Sequence, residues 1–287
     1  RLKWEGYYNF AVGYNRLFKD DKKRYIRGVR FGHIEALYDF DKHLRGIVYE
    51  YTQGVECNLK ALIADTFSRL YGVREREYLS EENFTSDPAE RGNVRWLIST
   101  CRELLSDGKK EGTGGYRDYI AHNAKVYGHV PLWALIRAMS FGNASRVLKL
   151  MKPEDRGEIA REYRINGRTL CNMTELAVGF RNIAAHGERV YCARLPAVRL
   201  TENLPLFRRI QVPCFPDGKP RYGRCDFLSL MLVFKYLLPR NEFSAFLSRV
   251  EKEVDALKEK LPAFAMKRVY EQTGLSGAWR KLGAVSL

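Results

Sequence analysis

Phe180-Arg181-Asn182-Ile183-Ala184-Ala185-His186-Gly187-Glu188-Arg189 is the stretch on which the reading of this chain turns. It closes a segment that opens near Thr174, with Glu175 just inside, and stops at Gly187, a residue type favoured just past helix ends. Leu176, Ala177, Phe180, Ile183 and Ala184 recur at helical spacing and so share one core-facing arc. Asn182, His186 and Arg189 fall on a neighbouring arc at i, i+4 and i+7. Arg181 stands five residues before His186. An ideal helix turns about 500° over that interval, which leaves the two side chains pointing well apart. One helix does not pair them; two copies side by side can.

The residue types suit chemistry on a phosphodiester. Arginine offers a permanently charged planar fork to phosphate oxygens. Histidine gives or takes a proton near neutral pH. Asparagine orients either by a hydrogen bond. Against this stands a bland reading, in which His186 and Arg189 merely complement the negative end of a helix dipole. So short a motif is common by chance, and the rest of the chain has to decide.

Working outward, helical patterns run almost throughout. Ile34, Leu37, Leu44, Ile47, Val48, Tyr51, Val55, Leu59, Leu62, Ile63, Phe67 and Leu70 step at three and four without a proline, as one very long helix or two joined near Gly46 or Gly54. Glu56 lies within it and has two readings, orienting a catalytic base or making an ordinary salt bridge. Residues 94–105 predict a further helix, followed by a flexible glycine- and lysine-rich loop over 106–115 that lacks the order of a phosphate loop. His122 and His129 have no partner at a telling spacing. Helices are predicted over 132–139, 144–151 and 154–164.

After Arg189 the texture changes. Residues 190–224 hold five prolines interleaved with Arg199, Arg208, Arg209, Arg221 and Arg224. Val198-Arg199-Leu200 and Arg209-Ile210-Gln211-Val212 suggest short strands or a hairpin in an extended surface excursion. Arg199, Arg208 and Arg209 make it either an RNA-facing element or a connector with solvated arginines. Asp226 then caps an apolar helix, 227–238, stopped by Pro239, and Asn241 opens an amphipathic helix to about Leu261.

Of 287 residues, 45% are hydrophobic and 13% aromatic, which excludes a disordered chain. Lys and Arg number 49 against 34 Asp and Glu, a net charge of +15 that points to a polyanionic partner, most simply nucleic acid. No apolar run approaches a membrane span and no secretory pattern appears, so a cytoplasmic protein is expected. Six cysteines scattered without any C-x-x-C read as reduced thiols, with no metal spacing among them. The expected organisation is an aromatic and basic arm at 1–29, a helical domain at 30–261 with 190–224 as an insertion, and a tail at 262–287. There is no internal repeat. The fold class is all-α, a bundle of long helices.

Arg181-Asn182-x-x-Ala185-His186-x-x-Arg189 resembles the R-N-x-x-A-H-x-x-R signature of the HEPN ribonuclease superfamily, in the form carried by Abi-like abortive-infection proteins (the AbiD/AbiF group). Three further stretches resemble that group in order. Tyr7-Tyr8-Asn9-Phe10 with Gly13-Tyr14 is similar to its N-Y-Y-R-L-S-G-Y segment, with Asn9 and Phe10 in place of Arg-Leu. Tyr38-Asp39-Phe40-Asp41-Lys42-His43-Leu44-Arg45 resembles its Y-x-F-D-x-x-L-R helix, and Pro131-Leu132-Trp133 with Ser140-Phe141-Gly142 its P-x-W and S-F-G. The correspondence spans roughly residues 7–190.

The resemblance implies a HEPN-type helical bundle that works as a dimer, the two motifs facing each other. It implies a metal-independent endoribonuclease, without cofactor, of a toxin-like anti-phage system. In it His186 is general base or acid, Arg181 stabilises the phosphoryl oxygens, Asn182 orients His186 or the phosphate, and Arg189 holds substrate. It also implies a restraining partner, for which a structured non-coding RNA is a candidate. The alternatives are a non-catalytic RNA-binding module and an interaction protein, the latter leaving the +15 charge unexplained.

Overall fold

The sequence patterns fold as helices in the computed structural model, which describes residues 2–6, 10, 12–109, 118–275 and 278–286. In chain order the helices are α1 (Leu2–Glu5), α2 (Phe31–Tyr71), α3 (Glu75–Tyr78), α4 (Arg91–Lys109), α5 (Asp118–Tyr127), α6 (Leu132–Ala138) and α7 (Phe141–Leu150). There follow α8 (Pro153–Glu162), α9 (Gly167–Ala185), α10 (Pro205–Arg209), α11 (Phe227–Leu237), α12 (Arg240–Lys260) and α13 (Ala263–Thr273). No strand occurs among the described residues, only isolated bridges such as Cys214 with Pro220. The protein is an all-α helical bundle.

The chain divides into two compact units, one of Arg1–Gln53 with Gly179–Leu287 and the other of Gly54–Val178. Both boundaries fall inside helices, in α2 and α9. The first unit is organised by apolar α11, whose nine buried side chains follow from a near-continuous apolar run. Asp226 caps it as the sequence predicts, accepting from the Ser229 N–H at 3.1 Å and from the Gly223 N–H at 2.9 Å. Phe234 of α11 meets Phe246 of α12 edge-on, with ring centroids 4.8 Å apart, and Tyr51 of α2 meets Phe246 at 5.3 Å. Phe243, Phe246, Leu247, Val250, Val254 and Leu257 line the buried side of α12 at the predicted spacing. Trp279 and Leu282 are buried in a short 3-10 turn, Trp279–Gly283, packed on α12. In the second unit α4 packs against α5, α6 and α7. Burial pushes the Cys101 thiol of α4 up to about 12, as befits a cysteine used for packing. All six cysteines are free.

Of the two readings of the long apolar segment, the single helix holds, over Phe31–Tyr71. Several expectations change. The loop expected from Ser106 begins later, because Ser106–Lys109 continue α4; residues 110–115 lie outside the described residues, as do Tyr7, Tyr8 and Asn9. The motif helix starts at Gly167 instead of near Thr174, because the Asn166 side chain accepts the Thr169 N–H at 2.8 Å and so caps the helix earlier. Thr174 is wholly buried within it.

The strands expected at 198–200 and 209–212 are absent. Pro205 opens α10 instead, a position where its fixed φ suits a first helical turn, and Leu206, Phe207 and Ile210 bury there at helical spacing. A tight turn does form further on, where the Phe215 N–H donates to the Lys219 carbonyl at 2.8 Å and Arg221 N–H to the Pro213 carbonyl at 2.8 Å. Nor is 190–224 a loose excursion. Leu200, Leu204, Leu206, Phe207 and Val212 anchor it, and the Leu195 and Leu200 N–H groups donate to the Cys225 and Arg224 carbonyls at 2.9 Å each.

Candidate active site

The first unit holds all of Arg181, Asn182, His186 and Arg189. Gly179 sets the approach to them. A Cβ there would stand 2.5 Å from Leu195 Cδ1, so the Leu195 side chain lies directly against the α9 backbone and would have to shift for a larger residue. Phe180 is fully buried, and burial then stops within a turn. Ile183 and Ala184, expected in the core, are half-buried, while Ala185 and His186 are exposed.

The helix ends on a defined cap. Gly187 takes φ +72°, its N–H donates to the Ala184 carbonyl at 3.2 Å, and the Glu188 N–H donates to Ile183 at 3.0 Å. The His186 N–H still donates back to Asn182 at 2.9 Å. The histidine thus sits on rigid backbone with its imidazole in solvent.

Arg181 is half-buried and its Nη1 donates to Asn182 Oδ1 at 3.1 Å, so Asn182 orients the arginine. Arg189 reaches the other way. Its guanidinium carbon lies 6.0 Å from the centroid of the Tyr14 ring.

Beneath Arg189 lies a network that sequence reasoning missed. Asp41 of α2 has no exposed surface. Its Oδ2 accepts from the Tyr14 hydroxyl at 2.6 Å and from Arg45 Nη1 at 2.6 Å, and its Oδ1 accepts from the Tyr191 N–H at 2.8 Å. Arg45 Nη1 also donates to the Tyr14 oxygen at 3.0 Å. Burial pushes the Asp41 carboxyl above the usual carboxylate range, opposed by the bonds from Tyr14 and Tyr191 and by the charge of Arg45. Burial, then the neighbouring Asp41, likewise raises the Tyr14 hydroxyl. The network ties the N-terminal Gly-Tyr, the Phe-Asp-x-x-Leu-Arg helix and the chain just after Arg189 into one piece. The i,i+4 spacing of Asp41 and Arg45 was the signal that could have found it.

A cleft of about 780 Å³ opens beside Arg189, lined among others by Arg16, Lys19, Lys23, Cys192 and Arg268. Arg268 is fixed in its wall, donating to the Leu17 and Lys19 carbonyls at 2.7 and 2.8 Å. The other sequence candidates are spread more widely. Arg199 is exposed and donates to the Pro196 carbonyl at 3.2 Å. Arg208 and Arg209 are exposed on α10, and Arg209 also bonds the Ser286 carbonyl. Glu56 belongs to the other unit, where it pairs with Lys60 one turn on, 2.6 Å away, while Lys60 also donates to the Met139 carbonyl. Among the described residues, no group of three His, Cys, Asp or Glu side chains is placed to hold a metal ion, and no helix is long and apolar enough to cross a membrane.

The family model for Abi-like proteins matches residues 1–192 of the 287. The chain belongs to the Abi-like protein family. No curated protein and no solved structure matches it. The Abi-like region runs through every member of the Asp41 network and ends just beyond Tyr191, so the tied segments and the motif helix fall within it. Membership points to a role in abortive infection.

Proposed function

We propose that this Abi-like protein is a HEPN-type endoribonuclease of an abortive-infection system, cutting RNA without a metal at a site composed from two copies of the α9 end. The observation that carries the reading is the presentation of His186, exposed on a rigid helix cap, with Arg181 and Arg189 on either side of it in sequence. His186 takes the proton from an RNA 2′-hydroxyl. The 2′-oxygen attacks the adjacent phosphorus, the bond to the 5′-oxygen breaks, and that oxygen leaves with the proton that His186 took up. A 2′,3′-cyclic phosphate and a 5′-hydroxyl result. Arg181 stabilises the charge building on the phosphoryl oxygens, the role that usually contributes most at such sites. Arg189, steadied over Tyr14, holds the flanking phosphate.

Two observations support a composite site. Arg181 and His186 stand five positions apart at helical spacing, which points them apart. The last turn of α9 also leaves apolar Ile183 and Ala184 half-exposed beside the motif, a face suited to a second copy across a two-fold axis. Mixing Arg181→Ala with His186→Ala protein tests this. Each alone is inactive; the mixture regains up to about a quarter to a half of wild-type cleavage, since mixed dimers hold one intact Arg–His pair. A mixture as inactive as its parts, or a fully active monomer, contradicts the composite site.

The charge of +15 supports a further part of the reading, a restraining structured RNA. Each phosphate contact releases counterions, so log affinity falls against log salt by about 0.7–0.9 per contact. If α10 faces that RNA, Arg208→Ala/Arg209→Ala lowers the slope by roughly one to two units while Arg181→Ala leaves it nearly unchanged. A filter-binding titration at several salt concentrations reads this directly, and an unchanged slope removes α10 from the surface.

A further inference from the structure

The second unit contains a larger cleft than the one beside Arg189, with a volume of about 1380 Å³. One wall is the polar stripe of α4, where Arg95, Ser99, Arg102 and Ser106 stand at i, i+4, i+7 and i+11 and so line one face. That stripe runs about 16 Å along the helix. The opposite face of α4 is held in the core by Val94, Leu97 and Cys101. The facing walls are Arg74 with Arg76 of α3, and the end of α5 at Tyr127 with Gly128 and His129.

The charge in the cleft is one-sided. Four arginines enter it against two carboxylates, and one of those, Glu81, is taken by Arg95 at 3.1 Å. Among the described residues no carboxylate pairs with Arg76 or Arg102. Tyr127 is 62% exposed at the edge, and His122 lies edge-on to it with centroids 6.3 Å apart. A solvent-exposed tyrosine lining the same cleft as free guanidinium groups is a combination suited to unstacked bases and their phosphates. The volume exceeds the roughly 300–1,000 Å³ usual for small-ligand pockets, and the serine and arginine lining is unlike their apolar walls.

We propose that this cleft is a binding site for single-stranded RNA, its phosphates held by Arg76, Arg102 and the serine hydroxyls and one base stacked on Tyr127. The site shares no residue with the α9 motif, and binding there does not depend on the nuclease reading.

The test is fluorescence anisotropy of a labelled oligouridine of about twelve nucleotides, with every variant made in His186→Ala protein so that the probe stays intact. Arg76→Ala/Arg102→Ala weakens binding at least roughly tenfold and lowers the salt slope by about 1.4, two contacts at about 0.7 each for a single strand. Arg76→Lys/Arg102→Lys keeps most of the slope. Tyr127→Ala weakens binding roughly fivefold without changing the slope. Unchanged melting temperatures establish that these surface variants fold. An unaltered slope in the alanine pair overturns the proposal, and so does an equal loss in a control pair on α12, Lys252→Ala/Lys258→Ala. Uridine monophosphate binding as tightly as the oligomer also overturns it, since the cleft would then be a small-molecule pocket.

Discussion

Replacing His186 with alanine is expected to reduce RNA cleavage by roughly 10²–10⁴-fold, the usual contribution of a positioned proton-transfer group. Arg181→Ala is expected to cost roughly 10²–10³-fold, the loss typical of one donor to a developing oxyanion. Neither change should lower stability appreciably. His186 is exposed at a helix end whose cap is made by backbone groups, and Arg181 is only half-buried. Affinity for uncut RNA should also hold, because both side chains act on the transition state. Single-turnover cleavage of a labelled RNA, set beside binding of a substrate with 2′-deoxy linkages, separates the two effects. Full activity in both variants rules the motif out as the site.

Asp41→Ala is expected to have the largest effect on stability of any single change near the site. It strands the Arg45 charge, the Tyr14 hydroxyl and the Tyr191 N–H together in a buried place. Breaking a buried ion pair from one side costs about 3–5 kcal/mol, which for a chain of this size lowers the melting temperature by roughly 10 °C. Asp41→Asn should fall between, since one amide oxygen cannot accept from all three donors. The consequence reaches the site through Tyr14 and Tyr191, which flank Arg189. Cleavage in a surviving Asp41→Asn protein should therefore show a raised KM more than a lowered kcat, as expected of a loosened substrate arginine. Thermal unfolding followed by circular dichroism, with a melting point equal to wild type, would remove the network from this role.

How much of this was legible in the sequence depended on the range of the interaction concerned. The α9 cap was readable because Gly187 follows a periodic apolar run, and the Asp226 cap because an acceptor precedes one. Both are local. The early start of α9 was misjudged for a local reason too, as Asn166-Gly167 serves equally as a turn or as a cap and first residue. Of the Asp41 network only the i,i+4 pairing with Arg45 was readable; its long-range bonds were not. Tyr14, Asp41 and Tyr191 are joined across 27 and 150 residues, and nothing in the chain marks which of Asp39, Asp41 or Glu50 is the one wholly buried. Glu56 was the easier case: of its two readings the ordinary salt bridge is the one found, to Lys60 one turn away. The arginines after residue 190 were read as riding on an extended excursion because prolines dominate that span; the buried leucines that pin it are spaced too irregularly to show a period.

The central claim is that RNA is cut by its own 2′-hydroxyl with His186 moving the proton. Mapping the ends of RNA cut in the presence of EDTA tests it most directly. Wild type should leave a 2′,3′-cyclic phosphate and a 5′-hydroxyl at an undiminished rate, and His186→Ala should leave the RNA whole. Products ending in a 3′-hydroxyl and a 5′-phosphate, cleavage lost with the chelator and restored by a divalent ion, or wild-type protein that binds RNA and never cuts it, would each contradict the account.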